Sequence, residues 1–227
     1  MAALFADRAE AGRALVGPVR ALGLAEPVVL ALPRGGVAVA AELARALPAP
    51  LDLLLVRKIG APGQPELAVA AVVDGEPPDI VLHPATRALP GVDADYIKRE
   101  AQRELAEIRR RRRVYLGARP PADIAGRAAI VVDDGIATGT TVRAALRALR
   151  RRAPARLVLA VPVAPPDVLH ELQREVDHLV CLQAPDDFIA VGLHYDDFHQ
   201  LGDDEVLALL ADDSRRGSTA AAPRRER

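Results

Sequence analysis

The chain alternates short, wholly apolar runs with longer stretches in which apolar residues recur every three or four positions. Residues 7–23 put Ala11, Leu15, Val19 and Leu22 on one helical face and end at Gly23, which predicts an amphipathic helix that Pro18 kinks or divides. Residues 27–32, bounded by prolines, read as a buried strand. Residues 37–47 return to helical spacing, and residues 51–56 form a second buried strand. Strand, helix, strand in that order predicts a right-handed parallel crossover.

After this unit the pattern breaks. Glycine and proline alternate through residues 59–65 too densely for helix or strand, which predicts a loop able to move. Residues 67–73 and 79–83 flank Asp74-Gly75-Glu76-Pro77-Pro78 and read as a hairpin. Asp93 starts a long helix whose apolar positions, Ile97, Leu105 and Ile108, are sparse. Strands at 127–133, 156–161 and 176–182 then alternate with helices at 141–152 and 166–175. This is a doubly wound α/β pattern: a mainly parallel sheet flanked by helices, with the hairpin and long helix as an insertion. A short helix at 203–211 closes one domain over residues 1–211, and residues 212–227, lacking large apolar side chains, are expected to be a disordered tail.

With half of its 227 residues apolar, the chain can bury one sizeable core. Aromatics are 3% of residues and tryptophan is absent, so that core is Ala, Val and Leu, which suits a parallel sheet. Thirty basic against thirty-one acidic residues give a net charge of −1 and no whole-surface field for nucleic acid or an anionic membrane. The Arg109-Arg110-Arg111-Arg112-Arg113 run is the local exception. At the end of a helix it reads as complementing the macrodipole and facing solvent, with RNA binding as the rival. Cys181 alone excludes an internal disulfide framework, the N-terminus turns polar too soon for a signal peptide, and no apolar run approaches the roughly 20 residues that span a bilayer. The expectation is a cytoplasmic protein with neither nucleic acid nor membrane as partner.

Candidate chemistry concentrates at residues 131–141, where Val131-Val132 is followed by Asp133-Asp134, then Gly135-Ile136-Ala137-Thr138-Gly139-Thr140-Thr141. A loop of small residues at a helix N-terminus presents backbone N–H groups and short hydroxyls to one point, as a phosphate requires. Carboxylates at the carboxyl end of a parallel strand lie in the ligand crevice and can accept hydrogen bonds from a vicinal diol. Phosphate beside diol indicates a ribose phosphate. The alternative is that Asp133 and Asp134 only cap the following helix.

This segment resembles the phosphoribosyl-diphosphate signature of type I phosphoribosyltransferases. The resemblance runs over about residues 5–210 and is nearest to bacterial stand-alone members without an assigned acceptor. It implies the type I fold, with a small hood over the sheet. Asp133 and Asp134 would hold the ribose hydroxyls, and Ala137, Thr138, Gly139, Thr140 and Thr141 would wrap the 5′-phosphate. Arg34-Gly35-Gly36, in the loop after residues 27–32, resembles the family's pyrophosphate loop, often preceded by a strained peptide; whether Pro33-Arg34 is cis is open at this point. Arg57-Lys58-Ile59-Gly60 is similar to the Arg-Lys-x-Gly string of adenine-type enzymes, which contacts pyrophosphate and leads into a mobile catalytic loop, although Ala61 stands where a further lysine is usual. Asp133, Asp134, Arg57 and Lys58 are thus the catalytic candidates.

On the base side the signals conflict. Ala137 replaces the aspartate usual in 6-oxopurine enzymes, whereas residues 188–196 resemble their base-stacking segment and nominate Phe188 and Tyr195, with ordinary packing as the alternative. His194 and His199 lack metal-site spacing. The resemblance implies Mg2+ carried by the donor rather than held by dedicated protein ligands. The expected partners are phosphoribosyl diphosphate and a nitrogenous base, with a homodimer among the allowed assemblies. A non-catalytic regulator that senses the donor or a nucleotide is the alternative function.

Overall fold

Asp7 and Asp93, which precede two of the helical patterns, both act as N-caps. Their carboxylates accept from the backbone N–H of Glu10 and Tyr96, each at 2.7 Å. The structure, a computed structural model, describes residues 3–75, 77–83 and 89–220. In chain order its elements are α1 (Arg8–Arg20), β1 (Pro27–Ala31), α2 (Gly35–Ala46), β2 (Leu51–Leu53), β3 (Val56–Ala61), β4 (Gln64–Val73), β5 (Asp79–Leu82), α3 (Ala94–Leu116), β6 (Ala128–Val132), α4 (Thr140–Arg151), β7 (Arg156–Val163), α5 (Pro166–Leu172), β8 (His178–Gln183) and α6 (Asp203–Ala220). Pro18 lies inside α1 without dividing it.

Five strands form a parallel sheet in the order β2-β1-β6-β7-β8. Every residue of β6 is buried, as a central strand covered on both faces requires. Strand alternation divides the core in two. Val29, Ala31, Ile130 and Val132 pack with α1, α2 and α6, while Val28, Leu30, Ala129 and Val131 pack with α4 and α5. The mainly parallel α/β architecture read from the sequence is the one observed.

Two expectations need correction. Residues 59–65 are not a loop: β3 and β4 form an antiparallel hairpin that pairs Ala61 with Gln64. Pro62 and Gly63 make the turn, Gly63 at φ +72 taking the position that favours glycine after proline. Gly60 sits at a register shift where a Cβ would lie 2.4 Å from the Pro65 carbonyl oxygen. The glycines and prolines that suggested irregularity are the parts of a tight turn and a bulge. β4 then pairs with β5 as the predicted hairpin, completing a three-stranded antiparallel sheet. The final helix also exceeds its expected end at residue 211, running to Ala220 where disorder from Asp212 was expected. Arg45 Nη2 reaches Asp212 Oδ2 at 3.3 Å, and Asp203, Asp204 and Glu205 favour the helix N-terminus. Residues 221–227 of the expected tail lie outside the described residues.

The arginine run of α3 is only partly a solvent face. Arg110 and Arg111 fold back onto Glu107, but Arg112 turns inward, its side chain 12% exposed. It reaches Asp74 at 2.7 Å and Asp52 at 3.1 Å, tying α3 to the end of β4 and to β2. Burial raises the Asp74 carboxyl above its ordinary range, and the Arg112 charge opposes that rise. Removing Arg112 takes a charge partner from two largely buried carboxylates, so Arg112→Met is expected to cost about 3–5 kcal/mol in denaturant unfolding. Exposed Arg109→Met should stay within about 0.5 kcal/mol. Equal effects of the two substitutions would show that the inward pair carries no special weight.

Candidate functional site

The site forms where the carboxyl ends of neighbouring strands β1 and β6 open into loops. Beyond β6, Asp133 and Asp134 are half-buried, and the chain enters α4 through Gly139 at φ +70. Glycine is required there on two counts: the left-handed conformation, and a Cβ that would fall 2.9 Å from Val168. No side chain caps the N-terminus of α4, so its first N–H groups are presented to the crevice. Ala137 and Thr138 are exposed beside them, and the Thr138 and Thr140 hydroxyls approach to 3.5 Å; Thr141 follows in the first turn of the helix.

The loop after β1 packs directly on this acidic pair. Leu32 N–H donates to the Val132 carbonyl at 2.9 Å, and the peptide joining Pro33 to Arg34 is cis. A Cβ on Gly35 would lie 1.8 Å from Asp134 Oδ2, and one on Gly36 would lie 2.8 Å from the Val132 oxygen. The two glycines therefore let the first loop nest against the second. Arg34 directly precedes α2 without a capping hydrogen bond from its side chain, and its guanidinium lies 3.9 Å from Asp203.

Arg8, which the sequence reading missed, completes the electrostatics. Its Nε donates to Asp134 Oδ2 at 2.7 Å, its Nη1 donates to the His199 carbonyl at 2.9 Å, and its guanidinium lies 3.8 Å over the Phe198 ring. The one available signal was its place in the first turn of α1, where a cation opposes the helix macrodipole unless something else compensates it. Asp133 Oδ1 accepts from the Asp134 N–H at 2.9 Å. Burial above all, then the charge of Asp134 and a hydrogen bond between the two carboxyls, push the Asp133 carboxyl well above the usual range. The Asp134 N–H and Arg8 pull the other way.

The structure separates residues the sequence had grouped. Successive residues of β3 face opposite ways, so Arg57 pairs with Glu104 of α3 at 2.6 Å. Lys58 instead faces a cavity of about 410 Å³ that Thr138, Thr140 and Arg143 also line. Arg57 is thereby turned toward α3, away from the cavity that Lys58 faces. Tyr195 is likewise no stacking platform. It is 5% exposed, its ring packs with Phe5 at 5.5 Å and Phe198 at 5.1 Å, and its hydroxyl donates to the Asp134 carbonyl. Packing won because the N-terminal segment pairs with this turn through a Phe5–Tyr195 bridge. Phe188 is half-exposed and stacks on His194 at 5.3 Å. Among the described residues no cluster of three His, Cys, Asp or Glu could hold a metal, and no helix is long and apolar enough to cross a membrane.

Because Asp133 has a raised pKa in the folded chain, the folded state binds its proton more tightly than the unfolded state does. Stability therefore falls as pH climbs from the unfolded value near ~3.9 through the folded one. Asp133→Asn is expected to raise the melting temperature relative to the parent chain by an amount that grows from pH 4 to pH 8. A difference constant across that range would contradict the raised carboxyl. Arg8→Met should act in the opposite direction, losing about 3 kcal/mol at neutral pH as Asp134 loses its partner.

The chain resembles known proteins over nearly its whole length. The family model described as phosphoribosyl transferase domain matches residues 8–197. MT0597 and Rv0571c of Mycobacterium tuberculosis, each named "Putative phosphoribosyl transferase", are 44% identical over 207 residues. These alignments take in 91% of this chain and 46% of each relative, so the chain spans about half the length of the curated relatives it matches. The crystal structure of TT1426 from Thermus thermophilus superposes with a TM-score of 0.80 at 46% identity, covering 92% of this chain and 98% of that one. With its two loops nested at the carboxyl edge of a parallel sheet and a family match across residues 8–197, the chain belongs to the phosphoribosyl transferase domain family.

Proposed function

We propose that the protein transfers the phosphoribosyl group of phosphoribosyl diphosphate to a nitrogenous base and releases pyrophosphate. The observation that carries this reading is the nesting of Gly35 and Gly36 on Asp133 and Asp134. It joins a glycine loop, a pair of carboxylates and the uncapped start of α4 in one crevice. The start of α4 suits the 5′-phosphate, the carboxylates suit the ribose hydroxyls, and the Arg34 loop suits the diphosphate. Negative charge near the anomeric carbon stabilises the cationic character that ribose develops as the bond to pyrophosphate breaks. Lys58 draws charge toward the leaving group from the opposite wall.

The donor set fits Mg2+ that takes most of its ligands from the substrate. Asp134 Oδ2 accepts from Arg8 and Asp133 Oδ1 from the Asp134 N–H, so an ion or the ribose hydroxyls would replace the hydrogen bond between the two carboxyls. When bound, Mg2+ would offset the charge of the departing diphosphate. A regulator that binds the donor without turnover is the second reading. Asp134 and Arg57 favour it, since both are already neutralised within the protein, by Arg8 and Glu104.

Ala137 argues for an aminopurine-like acceptor, because a 6-oxopurine site without its carboxylate leaves ring donors unpaired. That loss is about 1–3 kcal/mol, enough for a tenfold or larger preference. Pyrophosphate release measured with adenine, hypoxanthine and guanine at one Mg2+ concentration is expected to favour adenine. Faster reaction of hypoxanthine or guanine would overturn the Ala137 argument and favour the segment around Phe188. Thermal stabilisation by the donor without pyrophosphate release with any base would establish the regulator instead.

A further inference from the structure

The cavity of about 410 Å³ beside the phosphate loop is walled by α4 on one side and the β3–β4–β5 sheet on the other. It begins at Thr138 and Thr140 and extends along α4 past Arg143 to Arg147, with Lys58 and His83 on the opposite wall. Two of its lining residues carry buried polar atoms with no hydrogen-bond partner among the described residues: His83 Nδ1 and Arg143 Nε. A buried polar atom without a partner costs about 1–3 kcal/mol; both atoms are closed to solvent in the free chain, so they pair a ligand when their side chains turn toward the cavity. Glu171 lines the cavity too. Its carboxylate is 59% exposed and takes only Arg143 Nη2, leaving the inner Nε unengaged. Arg147 is held by Glu175, which does not line the cavity. Lys58 is one of only two lysines in the chain, the other being Lys98.

The surplus of cationic groups beside the Thr138 and Thr140 hydroxyls selects an anion with several acceptor oxygens. We propose that His83 and Arg143 bind a phosphate group of the ligand together with Lys58, so that the hairpin sheet supplies one wall of the phosphate site. The inference rests on the donor-binding reading, whose signature residues include neither His83 nor Arg143. It adds a consequence: a phosphate seated there clamps the antiparallel sheet to α4. The group is the 5′-phosphate of the donor or a phosphate of its diphosphate, and both present the same oxygens.

The test is calorimetric titration of the full chain with ribose 5-phosphate and, separately, with inorganic pyrophosphate. His83→Ala, His83→Gln, Arg143→Gln and, as a control elsewhere on α4, Arg150→Gln are compared with the parent chain. Loss of one charge-assisted hydrogen bond should weaken binding about tenfold in His83→Ala and in Arg143→Gln, with partial recovery in His83→Gln. Arg150, paired with Asp177, should have no effect. Weakening confined to ribose 5-phosphate assigns the group to the 5′-phosphate, and weakening confined to pyrophosphate assigns it to the diphosphate. Unchanged affinities in both variants, with the parent chain binding ribose 5-phosphate, overturn the inference and leave the proposed function standing. Pyrophosphate binding that depends on His83 and Arg143, without any ribose 5-phosphate binding, keeps the anion site and removes support for the donor reading. If neither probe binds the parent chain, both fall.

Discussion

The approach of Gly35 to the Asp134 carboxylate is the contact on which the rest of the site depends. Any side chain at that position would displace the carboxylate, and with it the partners that hold it. Those partners come from far apart: Arg8 from the first turn of α1, and Tyr195 through the adjoining carbonyl. His199 and Phe198 in turn fix Arg8. The crevice is thus a closed set of contacts in which the tight backbone at residues 34–36 sets the distance and the ion pair sets the orientation. Such a set of contacts fixes the crevice before any ligand arrives, so little reorganisation is left for binding.

A half-buried carboxyl with a raised pKa beside a second carboxyl is costly for stability, and the fold offsets that cost only in part. Arg8 answers Asp134, and the Asp134 N–H answers one oxygen of Asp133. Elsewhere, where nothing suggests ligand chemistry, buried charge is matched more fully. Asp52 accepts from Arg112, Ala122 N–H and Leu53 N–H at once. The contrast lies in how completely each carboxylate is matched by protein donors.

Much of this was legible along the chain because it is local. The apolar runs marked the strands, Asp7 and Asp93 marked helix starts, and the adjacency of Asp133-Asp134 to a small-residue loop marked the crevice. What was not legible depends on partners distant in sequence. Arg8 and Asp134 are 126 positions apart, and Arg112 and Asp52 are 60 apart, so no window reveals either pair. Arg57 and Lys58 looked equivalent as neighbours, yet a strand sends neighbours to opposite faces. Tyr195 looked available until the Phe5 segment covered it. The hairpin at residues 59–65 was misread for a different reason: the residues that break regular structure are also those that build its tightest turns.

The Arg8–Asp134 span bears on how the chain acquires its shape. The sheet neighbours β1 and β6 can pair once residue 132 is present, and α4 can cover them soon after. Arg8, however, is fixed only when residues 198 and 199 arrive to receive its guanidinium and support its ring contact. Contacts this far apart in sequence carry a large loop-closure entropy and form late. During synthesis from the N-terminus, Arg8 therefore lacks its contacts with Phe198 and the His199 carbonyl until those residues have been made.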